Sequence, residues 1–230
     1  MDPWKLLLLA LVAVGVVLVL SQPPEPPRLP PGLRVEEGTF RVTTPQGAWE
    51  ERFGVYPVDL GFRVVCLAHQ KGRVLWEAEL LYDPHWQPLA GTFTRRASEE
   101  VRYLYAFTGT EVQVRVQRGP RESARTLAVP EGTLLWEPEV LGSWYALLRA
   151  VPRAGSFPAF AGQALRTHTG RIGAGQEVQL RALGRIVPAT RRELLLDEEK
   201  FEVFLQGDLL LGVRGARFSA HLVEVLPEGL

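Results

Sequence analysis

The stretch Glu111-Val112-Gln113-Val114-Arg115-Val116-Gln117 settles the class of fold. Valine alternates with a polar residue along it, so in extended backbone the valines share one face and the polar side chains share the other. A strand with one dry and one wet face belongs to an antiparallel sheet that packs on a core from one side only. The same period of two runs through Phe40 and Val42, through Val74, Trp76, Ala78 and Leu80, through Val101, Tyr103, Tyr105 and Phe107, and through Val178, Leu180 and Ala182. Gln70-Lys71-Gly72-Arg73 and Gln206-Gly207-Asp208 read as hairpin turns between such runs. Tyr82-Asp83-Pro84-His85-Trp86-Gln87-Pro88-Leu89 reads as a further turn, because its prolines exclude a central strand and Asp-Pro favours turn initiation.

Counted this way to the end of the chain, about eleven strands are expected. One segment has a different period. Val140, Leu141, Trp144, Tyr145 and Leu148 recur at helical spacing, with Glu137 and Glu139 at the amino end and Pro138 suited to a first turn, which predicts one amphipathic helix over about 137–149. The fold class is therefore mainly β. A sheet that large with one apolar face curls into a half-barrel or barrel, or splits into a sandwich, and a lone helix can plug its open side. Pro152 to Gly162, with Gly155 and Pro158 around Phe157 and Phe160, reads as a loop.

Ahead of the β region, Leu6 to Leu20 is an uninterrupted apolar run that follows Lys5 and stops at Ser21-Gln22-Pro23-Pro24. It fits the core of a signal peptide, with Val19 and Ser21 as small residues before a cleavage point. With Trp4 and its flank it also approaches the ~17 residues that span a bilayer. Residues 1–21 are thus read as a signal peptide or a retained transmembrane anchor. The linker 22–33 carries six prolines between Gln22 and Pro31, which imposes an extended spacer reaching roughly 30 Å over ten residues at about 3.1 Å each. Residues 34–230 form the β-rich domain, placed outside the cytoplasm in the cell envelope (periplasmic), anchored in the inner membrane or secreted.

Composition narrows the function. The 230 residues are 46% hydrophobic, enough for one domain with a substantial core. Basic and acidic residues balance at 26 each with no basic stripe, which argues against nucleic acid as a partner. The single cysteine, Cys66, sits in Phe62-Arg63-Val64-Val65-Cys66-Leu67 and reads as a small core hydrophobe. Ser143 follows Gly142 but lacks the second glycine of a nucleophile elbow, and reads as helix packing. His69, His85, His168 and His221 have no metal-ligand spacing, so no metal or cofactor is assigned. Asp197-Glu198-Glu199-Lys200 reads as a solvated strand connection, since acid–base catalysis needs opposed carboxyls flanking a substrate. Gly170-Arg171-Ile172-Gly173-Ala174-Gly175 lacks the Lys-Ser/Thr of a phosphate loop and reads as a turn. No catalytic residue is assigned, and the domain is expected not to be an enzyme.

The order of these elements, from the Leu81–Leu89 turn through Val129-Pro130-Glu131-Gly132 to Ser143-Trp144-Tyr145-Ala146-Leu147-Leu148-Arg149 and on to Phe201–Asp208, resembles a widespread family of bacterial periplasmic proteins of unknown function. That family is similar in fold to the half-barrel carriers of outer-membrane lipoproteins, and the resemblance spans roughly residues 35–226. It implies a curved antiparallel sheet folded over a helix, with an apolar concavity suited to an acyl chain or hydrophobic peptide, and no catalytic residues. On that view Trp86, Trp144, Tyr145, Phe157 and Phe160 are the expected ligand-binding residues, at the mouth of a cavity. The favoured function is non-enzymatic binding of an apolar ligand, a lipid or acylated peptide such as a lipoprotein segment. The alternative is a membrane-anchored structural or assembly subunit that holds partner proteins in an envelope complex. A third reading, an envelope hydrolase, requires a catalytic constellation that the sequence does not display.

Overall fold

The structure is a computed structural model that describes residues 36–226. The expected signal or anchor segment and the proline-rich linker lie outside the described residues. Among those residues, no helix is long and apolar enough to cross a membrane.

From Glu36 the chain runs as a meander of eight strands: β1 (Glu36–Thr44), β2 (Gly47–Val58), β3 (Gly61–Gln70), β4 (Arg73–Tyr82), β5 (Pro88–Arg96), β6 (Glu100–Thr108), β7 (Glu111–Arg118) and β8 (Arg121–Ala128). A short strand β9 (Leu134–Leu135) and the helix α1 (Leu141–Ala150) follow. The chain returns through β10 (Gly155–Ala161), β11 (Arg166–Ile172), β12 (Gln176–Ala182), β13 (Arg185–Leu196), β14 (Glu199–Gln206), β15 (Leu209–Gly215) and β16 (Ser219–Leu226). All sixteen belong to one sheet, ordered β8-β7-β6-β5-β4-β3-β2-β1-β16-β15-β14-β13-β11-β10-β9, with β12 attached to β13 alone. Every pairing is antiparallel except the two-residue match of β9 with β10. The mainly β class with a single described helix agrees with the sequence, but sixteen strands replace the expected eleven.

Not every strand shows the alternation that betrays a half-buried one. In β8 every residue but Leu127 is exposed, so neither face is apolar. Strand β10 occupies the segment expected to be a loop. Pro158 and Gly155 argue against a central strand, yet β10 lies near the sheet edge, where only Ala159 and Phe160 bond to β9. The helix also starts later than expected. Glu137 to Val140 is a turn, closed by the Val140 N–H donating to the Glu137 carbonyl at 2.9 Å.

The sheet curls around α1. Leu141 to Leu148 are all buried, so the helix is covered on every side rather than along one stripe. Its aromatic residues knit the concavity: Trp144 packs edge-on to Phe201 at 4.9 Å and Trp136 at 5.7 Å, and Tyr145 packs against Phe53 and Trp86, both at 5.6 Å. Gly142 lets the helix approach β3, since a β-carbon there would overlap Cys66 Sγ and lie 2.8 Å from Val64 Cγ1. Cys66 is buried, as its sequence neighbours indicated.

Candidate functional site

The position of α1 along the sheet decides which part of the concave face stays open. In β2, Trp49, Glu51, Phe53 and Val55 share that face by strand alternation, and Glu51, Phe53 and Val55 are wholly buried. The helix begins at Glu51, whose carboxyl oxygens accept hydrogen bonds from the N–H groups of Leu141 (3.0 Å) and Gly142 (3.2 Å). Val140, just before the helix, provides no side-chain cap, so Glu51 supplies the acceptors that the first turn needs. The far end is tied down by Tyr145, whose hydroxyl donates to Glu36, and by Arg149, which donates to Glu36, the Tyr145 hydroxyl and Asp208. At 1.5 Å per residue the helix covers about 15 Å between these two ties.

Beyond Glu51, toward the turns β1–β2, β3–β4 and β5–β6, the face is uncovered. Here a cleft of about 670 Å³ opens, floored by Trp49, Leu75 and Trp76 and rimmed by Arg73, Arg95, Arg96 and Glu139. Trp76 is nearly buried, packed on Phe93 at 5.7 Å, whereas Trp49 and Leu75 are half-exposed. Glu139 crosses to the rim and accepts two hydrogen bonds from Arg95, each 3.0 Å. The volume falls in the ~300–1,000 Å³ range of small-molecule sites, and an apolar floor with a few polar groups above it is their usual lining.

A second cleft, of about 660 Å³, lies between Trp136–Glu139 and the β13–β14 turn. Its chemistry is polar. His168, nine-tenths buried, places Nδ1 2.7 Å from an Asp197 carboxylate oxygen, while its Nε2 accepts from Arg166 Nε at 3.2 Å. Asp197 also accepts from the Thr169 N–H (2.9 Å) and from Arg166 Nη2 (3.1 Å). The Thr169 bond, with help from His168 and Arg166, holds its carboxyl below the usual value. Both imidazole nitrogens of His168 are thus engaged within the protein, Nδ1 by Asp197 and Nε2 by Arg166. Glu137 lines the same cleft. Burial pushes its pKa up to about 7, opposed by hydrogen bonds from the Gln163 side chain and N–H. Ser143 Oγ donates toward the Glu137 and Val140 carbonyls and accepts from the Glu137 N–H, which fastens the turn before the helix.

This network yields a stability prediction. Asp197 has φ +53°, a conformation asparagine tolerates, so Asp197→Asn removes charge without backbone strain. A carboxyl held below its ordinary 3.8 stabilises the fold above that value and ceases to do so as pH falls through the lowered one. The variant is expected to be less stable than the native chain at pH 6, by an amount that solvent screening keeps small because Asp197 is more than a third exposed, and to converge on it as pH falls through the lowered value in urea titrations.

The five residues expected to meet ligand fall into separate packing groups. Trp86, at φ +62° in the β4–β5 turn, stacks on Phe62 at 4.4 Å and meets Tyr145 edge-on. Trp144 joins Trp136, Phe201 and Phe218. Phe160 packs on Phe107 at 6.2 Å, and Phe157 covers Gly170, where a β-carbon would overlap its ring. Of the five, all but Trp86 are buried, and neither cleft is lined by any of them. The sequence reading did not single out Glu51 or Trp49, and it placed Arg73 in a hairpin turn and Glu137 at the start of the helix rather than at a site. Asp197 is part of the strand connection expected there, and in addition gathers His168 and Arg166 around itself.

The architecture is that of a β-barrel-like domain. A crystal structure described as a β-barrel-like protein of a domain of unknown function, DUF1849, from Brucella abortus is similar over 86% of this chain and 99% of that one, with a TM-score of 0.52 and 12% identity. At that identity the likeness concerns the fold. No family profile and no curated protein matches the chain.

Proposed function

We propose that this protein is a non-enzymatic binding module of the cell envelope, exported or anchored by Leu6–Leu20, that takes an apolar ligand of the lipid or acylated-peptide class at the open end of its half-barrel. The observation that carries this reading is the Trp49–Leu75–Trp76 floor, left uncovered because α1 starts only at the level of Glu51. The ligand lies across the mouth rather than deep in the concavity, whose interior is filled by α1 and its aromatic neighbours. In this reading Trp86, Trp144, Tyr145, Phe157 and Phe160 fix the helix and sheet that shape the mouth.

The test is native mass spectrometry with lipid extraction on the full chain, purified from an export-competent host in a neutral glycoside detergent. A co-purifying amphiphile at fixed stoichiometry, lost in Leu75→Glu, is the expected result. Leu75 is half-exposed, so the acid alters the floor without entering the core. An apo mass that added lipid leaves unchanged would refute the reading and favour an assembly subunit. Support for that second reading comes from β8, a strand exposed on both faces at the sheet edge, to which an extended segment of a partner could add.

A further inference from the structure

We infer that the ligand of the Trp49–Leu75–Trp76 mouth carries an anionic oxygen head group, so that the site selects an anionic amphiphile. The inference rests on the proposed apolar-ligand reading and adds to it the charge of the ligand.

The hydrogen-bonding groups around the cleft are unevenly used. Glu139 is the sole carboxylate among the residues lining it, and both its oxygens are taken by Arg95. Arg96 is held from outside the cleft by Glu77 at 2.9 Å and Glu100 at 3.8 Å. Two charged or buried donors stand out. The indole Nε1 of Trp49 is buried without a hydrogen-bond partner, and Arg73, exposed at the start of β4, makes no ion pair or hydrogen bond among the described residues. Indole and guanidinium can only donate, and the Arg73 guanidinium has no anionic partner among the described residues.

Each class of occupant is sorted by that shortage. A purely apolar chain would cover the mouth and leave the Arg73 guanidinium on its rim without an acceptor. A cation would approach three arginines opposed by one glutamate. A carboxylate or phosphate oxygen supplies the acceptor that Arg73 lacks and matches its fork. The arrangement along β4 completes the case, since Arg73 precedes Leu75 and Trp76 on one strand and places a head-group contact beside a chain contact.

The test uses the full chain in phosphatidylcholine nanodiscs and four photoreactive probes that share one diazirine-bearing alkyl chain. Their head groups are a carboxylate, a phosphate monoester, a neutral alcohol and a quaternary amine, and adducts are mapped by peptide mass spectrometry. The carboxylate or phosphate probe is expected to label the segment around Leu75 and Trp76 at least about tenfold more than the alcohol or amine. Arg73→Glu is expected to abolish that preference and Arg73→Lys to keep part of it. Arg73 is exposed on a hairpin, so both variants fold. Equal labelling by the alcohol, or preference for the amine, would overturn the anionic head group and leave the apolar-ligand reading standing. Absence of cleft labelling by all four probes would overturn both.

Discussion

Alanine at position 142 is expected to destabilise the domain by about 2–3 kcal/mol, although in an isolated helix the same change is favourable by ~1 kcal/mol. The gain comes from relieving glycine's backbone entropy, and the loss from where this glycine sits. Its missing β-carbon would overlap Cys66 Sγ and press on Val64 Cγ1, both wholly buried in the middle of β3. Both side chains are fully enclosed, so the clash is expected to lift α1 from the sheet and loosen the Glu51 hydrogen bonds that start the helix. A double-mutant cycle separates this clash from a general weakness of the helix. Cys66→Ala alone removes one buried sulfur and costs about 1 kcal/mol. Combined with Gly142→Ala it opens the space that the new methyl needs, so the pair is expected to be more stable than the sum of the single changes by ~1–2 kcal/mol in urea denaturation. Strict additivity would mean that the close approach of α1 to β3 does not limit packing.

The parts of this fold that were legible in sequence are those where one face of a strand is buried. Val112, Val114 and Val116 in β7, and Trp76, Ala78 and Leu80 in β4, alternate because the core lies on one side of them. The helix was found from Val140, Leu141, Trp144, Tyr145 and Leu148, yet its start was misplaced. Glu137-Pro138-Glu139 suits a first turn by local chemistry, but Glu137 is drawn under Gln163 and Glu139 reaches out to Arg95 at the rim, so the segment forms a separate turn ahead of the helix. The true start is fixed by Glu51, 90 residues before Leu141, which no local rule can supply. A trace of it is readable all the same: Glu51 falls between Trp49 and Phe53 on the apolar face of an alternating strand, and an acid in that register calls for a partner. Trp49 and Trp76 could be assigned to the apolar face in the same way. That they line an open mouth depends on where α1 docks, which is a tertiary property.

Glu51 also sets the largest expected dependence of stability on pH. It is buried against the first N–H groups of α1 with no basic side chain among its hydrogen-bond partners, and burial pushes its pKa from 4.5 up to about 8, opposed by the bonds from Leu141 and Gly142 and by the Cys66 thiol. With the folded value above the unfolded one, the folded chain holds the extra proton between roughly pH 4.5 and 8. Stability from this group is therefore complete below 4.5 and is lost as pH rises through 8. The separation of those values bounds the loss at about 5 kcal/mol, at ~1.4 kcal/mol per pH unit, and any solvent that reaches the site reduces it. Burial raises Glu137 in the same sense, so the native chain alone would not identify the group responsible. Glu51→Gln does. It cannot ionise, and it replaces one acceptor oxygen by an amide that faces an N–H, so at pH 5 it is expected to be less stable than the native chain by about 1–2 kcal/mol. Its stability should fall less steeply above neutrality, and the two curves should cross between about pH 6 and 9. Curves that stay parallel would mean that Glu51 is ionised throughout and that the helix N-terminus outweighs desolvation. Glu51→Leu, which strips both N–H groups of their acceptor, is expected to lose about 3 kcal/mol at pH 5 and to share the shallow profile of the glutamine variant.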